Sequence, residues 1–286
     1  AIDPVSETKA PGRTGKELPR SKQVQIEGFT ESNVAAMSVR ENDYPDMNLW
    51  YYPSFRCGAV DIGMNAVRIN GRVALLRNLT QTDRPGARHL PTAIAEAVDA
   101  CVDNANRTTN ARQDSVFAYI CCSLCGGTGS GFAIDLAYLI RQQIELCGRI
   151  PHVVGMLALP EVMALRNDDP YIYRNAYAFL RELNWFQDQP SEGGAASCRP
   201  VFYKLGAGTA TIDETTMTSK RPFDMTFLVS NQATKGSAVR DFKKLKRMTA
   251  EFLYEFAVSG EGPEYLVNLP GGAVFEDERT GERRPV

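Results

Sequence analysis

Cys125-Gly126-Gly127-Thr128-Gly129-Ser130-Gly131 is the stretch on which the fold turns. Before it runs Ser115-Val116-Phe117-Ala118-Tyr119-Ile120, apolar and rich in strand formers, which continues into Cys121, Cys122, Ser123 and Leu124. After it runs Phe132-Ala133-Ile134-Asp135-Leu136-Ala137-Tyr138-Leu139-Ile140, with apolar residues at helical spacing. The glycines therefore stand where a buried strand becomes a helix. Backbone N–H groups left unpaired at a helix start, together with the positive end of the helix dipole, favour a phosphate there. Glycines leave the backbone accessible, and successive N–H groups can converge on one anion. Thr128 and Ser130 are expected to add hydroxyl donors. The competing reading is a glycine turn that only lets the helix pack close to a sheet.

No Lys follows the last glycine, so this is not a Walker A loop. The order G-G-T-G-S-G also departs from the dinucleotide fingerprint G-x-G-x-x-G. That fingerprint should follow the first strand, with an acid about 20 residues on. Neither feature is found, which argues against a nicotinamide-dependent oxidoreductase.

The chain of 286 residues is 43% hydrophobic, enough for a sizeable core, and its formal charge of −2 offers no global attraction for nucleic acid. No apolar run approaches the roughly 20 residues of a membrane helix, and no signal-peptide core opens the sequence. These features lead us to expect a cytoplasmic protein without membrane insertion. The seven cysteines are an odd number. Cys101, Cys121 and Cys147, in apolar context, read as buried reduced thiols rather than a disulfide framework. Cys122 and Cys125 form a C-x-x-C, but no second pair exists and the histidines are only His89 and His152. It reads as the end of a strand and the opening of a loop, with no metal site.

Residues 1–22 are polar and rich in Pro and Gly, and read as a flexible leader. Val24 to Glu27 alternates like a short strand. Tyr44, Trp50, Tyr51, Tyr52 and Phe55 belong to an aromatic, Pro-broken segment expected to cover the core. Gly58-Ala59-Val60 leads into a helical stretch carrying Arg68 and Arg72, readable as a second anion-binding element or as a helix with solvated arginines. A helix over Pro91–Ala105 has Ile94, Ala97, Val98, Cys101 and Val102 on its apolar stripe. The helix after the glycines ends at Gly148. His152 to Leu159 is a second continuous apolar strand, so strand, helix and strand form a parallel βαβ unit. Asp169 and Pro170 mark the cap and first residue of a helix reaching about Phe186. Its apolar face is Ile172, Ala176, Phe179, Leu180 and Leu183. Val201–Tyr203 is a weak strand and Asp224–Val229 a better one. A long helix over Gly236–Ala257 should turn Val239, Phe242, Leu245, Met248, Phe252 and Phe256 inward. Its Arg240, Lys243, Lys244, Lys246 and Arg247 suit a solvated face.

In this order of parts the glycine loop resembles the G-G-G-T-G-S-G signature of the tubulin/FtsZ superfamily, with Cys125 at its first position. The resemblance runs from about Gly58 to Ala257 and is nearest to divergent prokaryotic tubulin-like proteins. It implies an α/β fold with a doubly wound, mainly parallel sheet that binds GTP or GDP at the strand carboxyl ends and closes on a long helix. It leaves room for Mg2+ beside the phosphates. The implied nucleotide-binding domain spans residues 23–258, and residues 259–286 read as a polar tail or the start of a truncated second domain. The resemblance assigns Cys125, Gly126, Gly127, Thr128, Gly129, Ser130 and Gly131 to the phosphates. It places Gly58 and Ala59 near the terminal phosphate, and Asn175 on the guanine. The loop from Glu161 to Asp168 would lie by the ribose.

The resemblance also implies head-to-tail self-assembly into cytoskeletal filaments, with GTP hydrolysed at the subunit interface. Three features depart from the family pattern. Residues 1–57 carry no first strand with its own glycine-rich loop, so the chain is a fragment or its site incomplete. The long helix opens without a base-reading Asn, Asn231 being the nearest, and no acid clearly matches the catalytic ones. A non-hydrolysing scaffold with a degenerate pocket is therefore the alternative, and no catalytic residue is assigned.

Overall fold

The computed structural model describes residues 2–3, 24–25, 29–38, 47, 51, 64, 66–80, 90–108, 115–166, 169–187, 221–232, 238–258, 274–276 and 283–285. Gly58, Ala59 and the Val201–Tyr203 strand lie outside them. Strands β1 (Ile2–Asp3) and β2 (Val24–Gln25) pair in parallel. Near the other end, β6 (Val274–Glu276) and β7 (Arg283–Pro285) form an antiparallel pair.

The centre is a parallel sheet of β3 (Ser115–Ser123), β4 (Ile150–Ala158) and β5 (Met225–Val229), in that order. The register sets Ile120 opposite Gly155 and Thr226, and Cys121 opposite Met156 and Phe227. Side chains alternate along a strand, so two faces result. Ile120, Val153 and Leu157 face the main core, together with helix α4 (Gly127–Leu146). The opposite face carries Tyr119 and Phe227, whose rings meet Phe252 and Phe256 of helix α7 (Phe242–Val258) edge to face. Helices thus cover both faces of a parallel sheet, the doubly wound α/β arrangement expected from the sequence.

On the core side, α4 is itself overlaid by α2 (Arg68–Thr80), α3 (Leu90–Thr108) and α6 (Pro170–Gln187). Every residue from Phe132 to Leu139 is buried, Asp135 included, and Arg141 to Gln143 are buried too. A one-sided apolar stripe therefore understates its environment. Gly148, at φ 69, ends the helix as expected. A short helix, α5 (Pro160–Ala164), follows β4. In α6, Ile172, Ala176, Phe179 and Leu183 are buried as anticipated, and Asp169 Oδ1 accepts the Tyr171 N–H at 2.9 Å.

Among the described residues two helices escaped the sequence reading: α5, whose Glu161 to Ala164 fall in the stretch expected to be a loop from Glu161 to Asp168, and an earlier one. Helix α1 (Glu31–Ser38) buries Val34 and Met37 beside Phe29. Thr30 and Asn33 cap it reciprocally. Thr30 Oγ1 accepts the Asn33 N–H at 3.3 Å and Asn33 Oδ1 accepts the Thr30 N–H at 3.0 Å. The T-x-x-N spacing was the available signal. Of the aromatic segment, Tyr51 is buried in the main core, beside which Met47 is buried too, while Tyr44, Trp50, Tyr52 and Phe55 lie outside the described residues.

Four expectations change. Helix α7 starts at Phe242, with Val239 in the approach, where its N–H bonds the Asn231 carbonyl at 2.8 Å. Met248 and Phe252 are 43% and 44% exposed, leaving Leu245 as the buried anchor. In α3 the buried positions are Leu90, Ala93 and Val98, while Ala97 and Cys101 face solvent. Cys101, Cys121, Cys122, Cys125 and Cys147 are all free thiols, but Cys101 and Cys121 are exposed rather than buried. The basic residues Arg240, Lys243, Lys244, Lys246 and Arg247 do form a solvated face.

Candidate nucleotide site

The site begins where β3 ends. Leu124 donates its N–H to the Ala158 carbonyl at 3.1 Å, which carries the strand pairing one residue beyond the sheet. The Cys125 N–H then turns back to Ser123 Oγ at 3.1 Å. Gly126 is the N-cap of α4, in extended conformation at φ −86 and ψ 166, with no side-chain cap. Among the described residues no acceptor meets the N–H groups of Gly126, Gly127 or Thr128. These are the orphan donors that every helix start leaves, and the dipole adds partial positive charge there.

The remaining glycines serve packing. A Cβ on Gly127 would stand 2.6 Å from the Val67 carbonyl oxygen and 2.7 Å from Met64 Cβ. On Gly129 it would stand 2.7 Å from the Ser123 carbonyl oxygen. Gly131 faces the Arg68 carbonyl and Gly71, and Gly71 faces the Gly127 carbonyl, each too close for any Cβ. Helices α2 and α4 therefore touch backbone to backbone. A Cβ on Gly126 would meet nothing within 4 Å. The motif thus combines both readings of the sequence: three glycines let elements pack closely, and one leaves the loop open.

That opening gives onto a cleft of about 400 Å³ along β3 and α4. Ser123, Gly126, Thr128 and Gly129 form its polar end, and Ile120, Phe132, Leu136 and Ile140 its apolar length. Among the described residues β3 pairs on one side only, with β4. The cleft runs to the carboxyl end of a parallel strand, where open α/β sheets place their ligands.

Ser130 departs from expectation. Its hydroxyl donates to the Gly126 carbonyl and the residue is buried, so it braces the first turn instead of facing the cleft. Thr128 does line the cleft. Arg68 and Arg72 are not solvated: both side chains are turned into contacts within the fold. Arg68 Nε and Nη2 donate to the Ser130 carbonyl at 3.0 and 2.9 Å, and Nη1 reaches Glu182 at 3.2 Å. Arg72 pairs with the buried Asp135 at 3.3 Å. Both arginines clamp helices together.

Asn175 lies under the loop. Its Nδ2 donates to the Ala66 carbonyl at 2.6 Å and the Cys125 carbonyl at 2.8 Å. Glu161, in α5, accepts from Ser230 Oγ at 2.7 Å and lies close enough to Cys125 for its charge to be felt. The Cys125 thiol is held above its ordinary value by burial, against a lowering hydrogen bond from Ser123, with Glu161 adding to the rise. Burial, helped by Cys121, pushes the Cys122 thiol up to about 12. Cys122 therefore stays protonated at neutral pH and is no nucleophile. Among the described residues no group of three His, Cys, Asp or Glu is placed to hold a metal.

A profile for the family described as "Tubulin like" matches residues 2–273. The chain belongs to this tubulin-like family. Comparison with curated proteins and with solved structures gave no significant match. The tubulin-like assignment agrees with the parallel sheet, the glycine loop at a strand's carboxyl end, and the long helix on the opposite face. No helix among the described residues is long and apolar enough to cross a membrane.

Proposed function

We propose that this tubulin-like chain binds GTP, with the loop Cys125–Gly131 cradling the phosphates and Gly126 at its open point. The observation that carries the reading is the pair of N–H groups at Gly126 and Thr128, which no acceptor meets among the described residues and which belong to residues lining a cleft at the carboxyl end of β3. Gly127, Gly129 and Gly131 hold that geometry through close packing, Ser130 braces it, and Gly58 and Ala59 are assigned to the terminal phosphate by resemblance. Glu161 suits an acceptor for sugar hydroxyls, since a carboxylate beside the phosphates themselves would repel them. A Mg2+ here would be held chiefly by phosphate oxygens and water. Family membership supports self-assembly as part of this reading: a second copy seated head to tail over the cleft would make a heterologous, filament-forming contact. On this reading GTP hydrolysis belongs to the assembled pair.

Gly126→Asp tests the loop directly. The backbone there suits any residue, the added side chain has room, and Asp is a good N-cap. Thermal stability should hold or rise while affinity for GTP falls more than roughly 100-fold, because a fixed carboxylate occupies the anion's place. Titration with labelled GTP, ATP and NAD reads the outcome. Unchanged GTP binding in a folded Gly126→Asp chain rules out the loop as the phosphate site, and NAD binding in the wild type points to a different class of protein.

A further inference from the structure

Asn175 does not have the hydrogen-bonding capacity that a base reader needs. An asparagine amide has two N–H donors and one carbonyl acceptor, and a reader of guanine must donate and accept together. Here the nitrogen faces two carbonyl oxygens, Ala66 at 2.6 Å and Cys125 at 2.8 Å. Turning the amide over would set its own oxygen against both, so this orientation is fixed by its surroundings. Both donors are spent.

The two carbonyls belong to segments that must keep register for the site to exist. Cys125 opens the glycine loop. Ala66 sits at φ 54, in the left-handed region that costs a non-glycine residue of order 1 kcal/mol. It lies in a turn closed by the Val67 N–H on the Met64 carbonyl at 2.8 Å. The same turn presses on Gly127, which has no space for a Cβ beside Val67 and Met64. Any shift of the turn therefore moves the first turn of α4 and its free N–H groups. Two positions along α6 grip this assembly. Asn175 holds the turn and the loop, and Glu182 holds Arg68, whose guanidinium carries the Ser130 carbonyl.

We infer that Asn175 is a positioning residue that locks the glycine loop to the 64–67 turn and so aims the loop's amides, and that it does not select the base. The ligand-binding half of this inference rests on the GTP reading; the locking half does not. The consequence is that base choice and phosphate affinity are separable, with Asn175 acting on the second alone.

The test uses the full chain and the variants Asn175→Asp, which keeps the size and removes both donors, and Asn175→Ala. Asn175→Ser, which retains one donor, gives an intermediate response and stands in if the others fail to fold. GTP, ATP and inorganic triphosphate are titrated against each, and amide hydrogen exchange is followed without ligand. Affinity should fall roughly tenfold or more for every ligand that the wild type binds, with the GTP to ATP ratio unchanged. Exchange should quicken at residues 64–68 and 124–130 and not along β4. A collapsed GTP to ATP ratio with triphosphate binding intact makes Asn175 a base reader and overturns the inference. Unchanged exchange at both segments overturns it as well. If the wild type binds none of the three ligands, the GTP reading fails, and the exchange rates alone decide the locking role.

Discussion

Gly71 sits where opposing single-residue effects can be weighed. Within a helix, Ala is favoured over Gly by about 1 kcal/mol. At Gly71, though, a Cβ runs into the Gly127 carbonyl and the backbone of Gly131. A backbone neighbour cannot rotate away, and overpacking costs about 1–3 kcal/mol or more. The clash wins. Gly71→Ala should lose about 2 kcal/mol net, read as a lower urea midpoint at unchanged slope. Gly131→Ala should behave alike, because it meets the same seam from the other side. Gly126→Ala has no such neighbour and should cost no more than about 1 kcal/mol, the difference between Gly and Ala at an N-cap. Glycines that look equivalent in the motif thus separate into those that close the helix seam and the one that opens the cleft.

At the scale of elements, Arg141 ties the far end of α4 to the sheet. It is 4% exposed, and Nη2 reaches Asp224 Oδ2 at 2.8 Å. The same carboxylate oxygen accepts the Val153 N–H at 2.6 Å, while the Asp224 N–H returns to the Val153 carbonyl at 2.8 Å. One side chain therefore extends the β4–β5 ladder and neutralises a buried cation. Asp224→Ala strands that cation and should cost about 3 kcal/mol by urea unfolding, whereas Asp224→Asn, which keeps an acceptor, should cost distinctly less. This pairing lay beyond the sequence reading, as did the Arg68 and Arg72 clamps, because each joins residues more than 60 positions apart. The strands β3, β4 and β5 were legible, since apolar runs bounded by turns report burial directly. Helix α1 was legible in principle through its Thr30–Asn33 cap. The all-round burial of α4 was not, because it depends on α2 fitting against glycines. For the site, the loop's place between strand and helix was readable. The inward turn of the Ser130 hydroxyl and the spending of Asn175's donors were not, being set by the packing of three separate segments.

For the whole molecule, the position of the cleft carries the argument about hydrolysis. A ligand at the carboxyl edge of an open sheet lies at the surface of its own chain. Among the described residues, the acid beside this loop, Glu161, is already engaged by Ser230. On the proposed reading, a second copy supplies what the pocket lacks. Below the assembly constant the active species is then a pair, so the logarithm of phosphate release should rise with that of protein concentration at a slope near 2, flattening toward 1 as assembly saturates. Malachite-green assays across a dilution series read this. A slope of 1 throughout, with measurable hydrolysis, means one chain is sufficient; GTP binding without hydrolysis at any concentration favours the scaffold. Mixing sharpens the result. Gly126→Asp chains hold no nucleotide but keep the opposite face of the contact. Added in excess to dilute wild type, they should raise phosphate release per wild-type chain, because a head-to-tail contact needs nucleotide on one side only. If the excess leaves release unchanged, the neighbour does not complete the site.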